Sequence, residues 1–163
     1  MLNNHATVRC LLVPIGAGQI LIPSAVVAEV SPYSEPESVS DKQPNWMLGI
    51  INWRHQRVPL LSIEEALSLP VVSSVKKYHT VILYGLESTQ TMPFYAFISS
   101  DVPRTLTVTE ETLSNPSANV RTGVVFKVKV DKNETAWLPD LSYLENMLKE
   151  FLVFSQANKQ TSK

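Results

Sequence analysis

Cysteine, histidine and glycine are all scarce in this chain, which holds one, three and five of them among 163 residues. The lone Cys10 has no partner for an internal disulfide, and its place inside an apolar run makes it a small buried hydrophobe rather than a nucleophile. His5, His55 and His79 stand far apart, with no HxxxH or CxxC spacing, so no metal site is expected. Neither sign of charge dominates: 14 Lys and Arg face 15 Asp and Glu, for a net charge of -1 and a pI near 6.3. That balance leaves no electrostatic footprint for nucleic acid or an anionic membrane surface. No run approaches the roughly 18 apolar residues of a membrane span. The start, MLNNHATVRC, lacks a basic region followed by an apolar one, so the expectation is a cytoplasmic protein with no direct membrane insertion.

What is present is alternation. At 44% hydrophobic the chain can bury one good core or two small ones that lean on each other. Val124, Phe126, Val128 and Val130 alternate with Val125, Lys127 and Lys129, the period of a strand with one wet face, and residues 131–134 then reverse the chain. Eight or more such strands, broken at Pro, Gly, Asn and Ser, predict an all-β protein with barrel-like closure. Only the end reads as a substantial helix: Leu141, Leu144, Met147, Leu148, Phe151 and Leu152 form an amphipathic stripe, with Asp140 as N-cap. Residues 155–163 are polar and predict a frayed tail. The segments 31–44 and 113–123, rich in Pro, Ser and Asn, read as loops, and no internal repeat is visible.

The most informative segment is residues 48–70, LGIINWRHQRVPLLSIEEALSLP. Leu48, Ile50 and Ile51 precede a polar turn at residues 52–57, and Val58, Leu60 and Leu61 follow, which predicts a hairpin with a widened loop. Ser62 and Glu65 stand as in a capping box, so residues 63–69 should be a short helix stopped by Pro70.

This order of glycine, Asn-x-Arg, Val-Pro and an Ile-Glu-Glu-x-Leu helix resembles the central signature of the CheW-like family, the adaptors that couple chemoreceptors to a sensor histidine kinase. The resemblance extends over residues 8–152. Residues 8–15 and 19–22 resemble the family's opening hairpin, 24–30 its first short helix, 78–85 with 92–99 the next hairpin, 102–108 the following strand and 124–139 the closing hairpin. It implies an all-β fold of two small SH3-like five-stranded β-barrel lobes packed together, with short helices and a C-terminal amphipathic helix. The expected division is a single domain over residues 1–154, with lobe 1 over about 8–75, lobe 2 over about 76–139 and the helix over 140–154. Lobes of that size are marginal alone, so they should pack on each other, with a groove at their seam as the natural place for a partner. The chain departs from the family at His55, where glycine is usual, at Ser62, where Asp is usual, and over residues 94–102, FYAFISSDV. His55 in place of glycine implies a different or longer loop, and together the departures suggest an accessory member, one serving a surface-motility system.

By the resemblance, the partner-binding residues are Val27, Glu29, Asn52, Trp53, Arg54 and His55, and the partners are a receptor's helical cytoplasmic tip and a CheA-like kinase regulatory domain. From chemistry alone, Arg54 can stack on an indole, fork onto a carboxylate, or pair with Glu29 and only hold the first helix to the barrel. Trp46 and Trp53 read as core or rim aromatics. Enzymatic readings are weak: His55, Ser62 and Asp101 could be imagined as a triad, but no G-x-S-x-G elbow is present. Glu64 and Glu65 read as favourable charge near a helix N-terminus. Gly16-Ala17-Gly18 joins two strands, unlike a phosphate loop. The expectation is a non-enzymatic signalling adaptor with no cofactor, no metal and no nucleic-acid partner. The alternatives are a stand-alone small-barrel module for a peptide or nucleic acid and, third, a hydrolase.

Overall fold

The apolar runs of this chain are nearly continuous within single strands because both faces of most strands are covered. A computed structural model describes residues 7–71, 76–87, 90–109, 123–131 and 134–161. It holds strands β1 (Val8–Ile15), β2 (Gly18–Pro23), β3 (Val27–Pro32), β4 (Met47–Trp53), β5 (Gln56–Leu61), β6 (His79–Tyr84), β7 (Phe94–Ser99), β8 (Arg104–Val108), β9 (Val124–Asp131) and β10 (Glu134–Pro139). Two helices accompany them, α1 (Ile63–Ala66) and α2 (Leu141–Thr161). Of the expected elements, His5, most of the 113–123 loop and the last two residues lie outside the described residues.

The strands form two five-stranded sheets, ordered β8-β1-β2-β10-β9 and β3-β6-β7-β5-β4. In each, an edge strand joins a hairpin, the hairpin joins a second hairpin through a parallel pair, and a helix follows that second hairpin. The parallel pairs are β2 with β10, through Trp137 and Ile20, and β5 with β7, through Leu60 and Ala96. The two halves thus repeat one topology with no visible sequence repeat. The expected division near residue 75 is wrong. One lobe is built from the two ends of the described chain (β1, β2 and β8 to β10), and the other from the continuous middle, β3 to β7. Grouping by sequence order fails because each lobe is completed by a parallel pairing that local periodicity does not encode.

All five strands of each sheet send alternate residues into a core of their own. Cys10, Leu12, Leu21, Val108, Val128 and Ala136 fill the first lobe, and Ile51, Val58, Leu60, Ile82, Ala96 and Ile98, with the half-buried Ala28 of β3, the second. The intervening residues, among them Leu11, Val13, Ile20, Leu61, Val81, Tyr95 and Phe97, build a third and larger core between the lobes. The expected seam is therefore filled rather than open. Helix α2 covers it with the predicted stripe: Leu144 and Leu148 are buried, Leu141, Met147, Phe151 and Leu152 half-buried, and Phe151 meets Trp46 edge-on at 5.8 Å. Asp140 caps α2, its Oδ1 accepting from Tyr143 N at 3.2 Å. The helix runs on through Thr161 where a tail was expected from residue 155, since no Pro or Gly interrupts that stretch.

Other local expectations are also revised. Residues 24–30 form one 3₁₀ turn (Ser24–Val26) and then β3, so Glu29 lies on a strand. The β-branched run Val26, Val27 and Val30 suits a strand better than a helix. Helix α1 ends at Ala66, before Leu67 and a left-handed Ser68 (φ 51). Its cap is as expected, Ser62 Oγ accepting from Glu65 N at 3.4 Å. The 31–44 loop is pinned along the edge of β4 by paired bonds between Glu37 and Ile50. Gly49 (φ 141) allows that approach, since a Cβ there would lie 2.3 Å from the Glu37 carbonyl oxygen.

Candidate functional site

The β4–β5 hairpin turns on two residues only. Trp53 pairs with Gln56, leaving Arg54 and His55 between them with φ of 48° and 63°. Positive φ at both central positions marks the type I′ turn, whose twist matches the strands it joins. The expected widened loop over residues 52–57 is therefore absent: His55 takes the left-handed conformation itself, as His does more readily than most non-glycine residues.

That turn carries Arg54 to the surface beside the edge strand β3. Arg54 Nη2 donates to Glu29 Oε1 at 2.8 Å, and Trp53 Nε1 donates to Glu29 Oε2. The Arg54 guanidinium lies 5.1 Å from the centre of the Trp53 ring, so it stacks on the indole and pairs with Glu29 at once. The indole N–H foremost, and then Arg54, hold the Glu29 carboxyl below its ordinary value. Three side chains thus join the two edges of the middle lobe, β3 and β4, where no backbone ladder does. In the other lobe, Arg104 of the edge strand β8 pairs with Glu134 at the start of β10.

Of the six predicted residues, the structure gathers Glu29, Trp53 and Arg54 into one constellation. Asn52 and His55 are exposed on the same hairpin. Val27 is set apart from them: it faces the core between the lobes, packed against it with Val26. Phe94 and Tyr84 were not anticipated. Phe94 meets Trp53 edge-on at 4.8 Å, and Tyr84, its cross-strand partner, lies 5.6 Å from Phe94. The sequence signal for them was the aromatic residue at the end of each run.

Two buried acids were also missed. Glu64, 5% exposed, accepts from Gly16 N at 2.9 Å and from Ser62 Oγ at 3.1 Å, binding α1 of the middle lobe to the β1–β2 turn of the other. It is a tether rather than surface charge at a helix start. Glu145, 1% exposed, accepts from Leu86 N at 2.7 Å and Glu87 N at 2.9 Å, fixing α2 to the turn after β6.

The imagined triad does not assemble: Ser62 is engaged with Glu64 and Glu65, Asp101 accepts from its neighbour Val102 N, and His55 is at the hairpin tip. Among the described residues no group of three or more His, Cys, Asp or Glu is placed to hold a metal ion. Burial pushes the Cys10 thiol up, away from the reactive thiolate. No helix among the described residues is long and apolar enough to cross a membrane.

No curated protein sequence matches this chain. Its fold is similar to the crystal structure of the scaffolding protein TtCheW from Thermoanaerobacter tengcongensis, with a TM-score of 0.66 at 15% identity, covering 85% of this chain and 88% of that one. The model of the CheW-like domain matches residues 9–146, which include both lobes and the start of α2. On that match the chain belongs to the CheW-like domain family, whose members are non-enzymatic scaffolds of chemotaxis signalling.

Proposed function

We propose that this protein is a cytoplasmic adaptor of a chemosensory array that couples chemoreceptors to a sensor histidine kinase. The observation that carries the reading is the Glu29–Trp53–Arg54 constellation: a tight hairpin holds a guanidinium at the surface, 68% exposed, by a carboxylate and an indole. A group so held loses little freedom when a partner binds it, which favours recognition over a purely structural clamp. The receptor's helical tip engages this surface, and the kinase regulatory domain docks on another face. The departures at His55, Ser62 and residues 94–102 suit an accessory coupling protein of a surface-motility system.

The test is Arg54→Glu. It should abolish binding of a purified receptor tip while circular dichroism stays as wild type, and kinase-domain binding should persist. Unchanged tip binding would refute the assignment of this surface. Loss of both partners with the fold intact would mean that one surface serves both.

A further inference from the structure

The barrel of the middle lobe has two mouths, at opposite ends of the same strands. At one, the Trp53 and Phe94 rings meet edge-on and close the core. At the other, Leu48 near the start of β4, Ser62 after β5 and Ile98 near the end of β7 bring no ring, and a cavity of about 160 Å³ opens beside them. Leu48 and Trp53 are five residues apart on one extended strand, about 17 Å at about 3.3 Å each, so this cavity is separate from the Glu29–Trp53–Arg54 constellation. Leu48 and Ile98 belong to the lobe's own core and give the cavity an apolar floor, to which Val71, 52% exposed, adds a wall. A cavity of about 150 Å³ takes a body the size of benzene, so a short branched chain fits and little more.

The rest of the lining is charged. Glu64 lines the cavity at 5% exposure, with its two oxygens accepting from Gly16 N and Ser62 Oγ. That carboxylate is fixed and already satisfied. Glu65 and Lys77 are not: both line the cavity, both are exposed, and among the described residues neither makes an ion pair. The Lys77 ammonium lies 5.5 Å from the centre of the Tyr33 ring, which positions it without neutralising it. An occupant of one charge would leave one of these two groups unpaired and would meet a like charge at the other. An occupant that brings both an ammonium and a carboxylate answers both.

We infer that this mouth of the middle lobe is a binding site for a small zwitterion with a branched aliphatic chain, an α-amino acid of leucine's size. Its ammonium meets Glu65, its carboxylate meets Lys77, and its chain lies on Leu48, Ile98 and Val71. No part of this site rests on the adaptor reading.

The probe is free leucine, titrated by NMR to about 10 mM, a range that covers the weak affinity of so small a molecule. It should shift the Leu48 and Ile98 methyl resonances and saturate. The Gly16 amide, which donates to the cavity-lining Glu64, should move with them. Isopentylamine and isocaproate carry the same chain with one charge each, and each should bind at least about threefold more weakly, within the range of one exposed ion pair. Glycine, which lacks the chain, should give no shift. Glu65→Gln and Lys77→Gln change exposed side chains, so each should keep the wild-type melting curve and weaken leucine by at least about threefold. The absence of a saturable shift with leucine would overturn the inference. So would either one-charge analogue, or glycine, binding as tightly as leucine, and so would either variant binding leucine as the wild type does.

Discussion

Replacing Glu145 by alanine removes a carboxylate that is 1% exposed and accepts from two consecutive backbone amides, Leu86 N and Glu87 N, at 2.7 and 2.9 Å. Each orphaned donor costs about 1–3 kcal/mol, so Glu145→Ala should destabilise by about 2–6 kcal/mol, a large share of the 5–15 kcal/mol typical of a domain. Glu145→Gln keeps the shape but offers one carbonyl oxygen and turns an amide group toward the other donor, so about 1–3 kcal/mol is expected. Urea unfolding measures both, with the slope unchanged if the loss is local to the folded state. Amide exchange adds the position: Leu86 and Glu87 should exchange much faster in both variants, while amides of β1 and β2 change only as global stability does. A Glu145→Ala variant within about 0.5 kcal/mol of wild type, the ordinary range for an uninvolved surface site, would refute the idea that this carboxylate anchors α2 to the turn.

Glu29 predicts a pH dependence. Its carboxyl is held below its ordinary value of 4.5 by the Trp53 N–H and then Arg54, so its contribution to stability is present above that value and lost as pH falls through the lowered one. The Trp53 indole proton, followed by NMR, should move only in that acid range, and Glu29→Gln should leave it flat. The Arg54–Glu29 pair is largely exposed, so a double-mutant cycle on stability should give only about 0.2–1 kcal/mol, and a larger coupling would show that the pair is chiefly a clamp. Leu148→Asp would set an unpaired charge in the core between the lobes and should cost several kcal/mol in denaturant unfolding, whereas an unchanged midpoint would show that α2 is not docked there.

Local physics made much of this protein readable from its residues. Periodicity and turn residues located the strands other than β3, the Ser62 and Asp140 caps placed both helix starts, and the stripe from Leu141 to Leu152 named the apolar residues that α2 packs on the core apart from Tyr143. Arg54 could be singled out because a family signature and a turn rich in polar residues coincide there, and Glu29 because the resemblance matched it to an acid of the family's first helix. Their pairing through Trp53 could not, because it depends on β3 and the β4–β5 hairpin meeting across the mouth of a lobe. The length of that hairpin's turn was set by strand twist and register, which put His55 in a conformation its sequence neighbours do not demand. The burial of Glu64 and Glu145 was likewise hidden, since each acid finds its backbone donors 48 to 59 residues away. Most of all, the make-up of the lobes was a tertiary decision. Trp137 beside Ile20 and Leu60 beside Ala96 are parallel pairings between distant segments, and a strand's own alternation says which face is apolar but not which strand lies next to it.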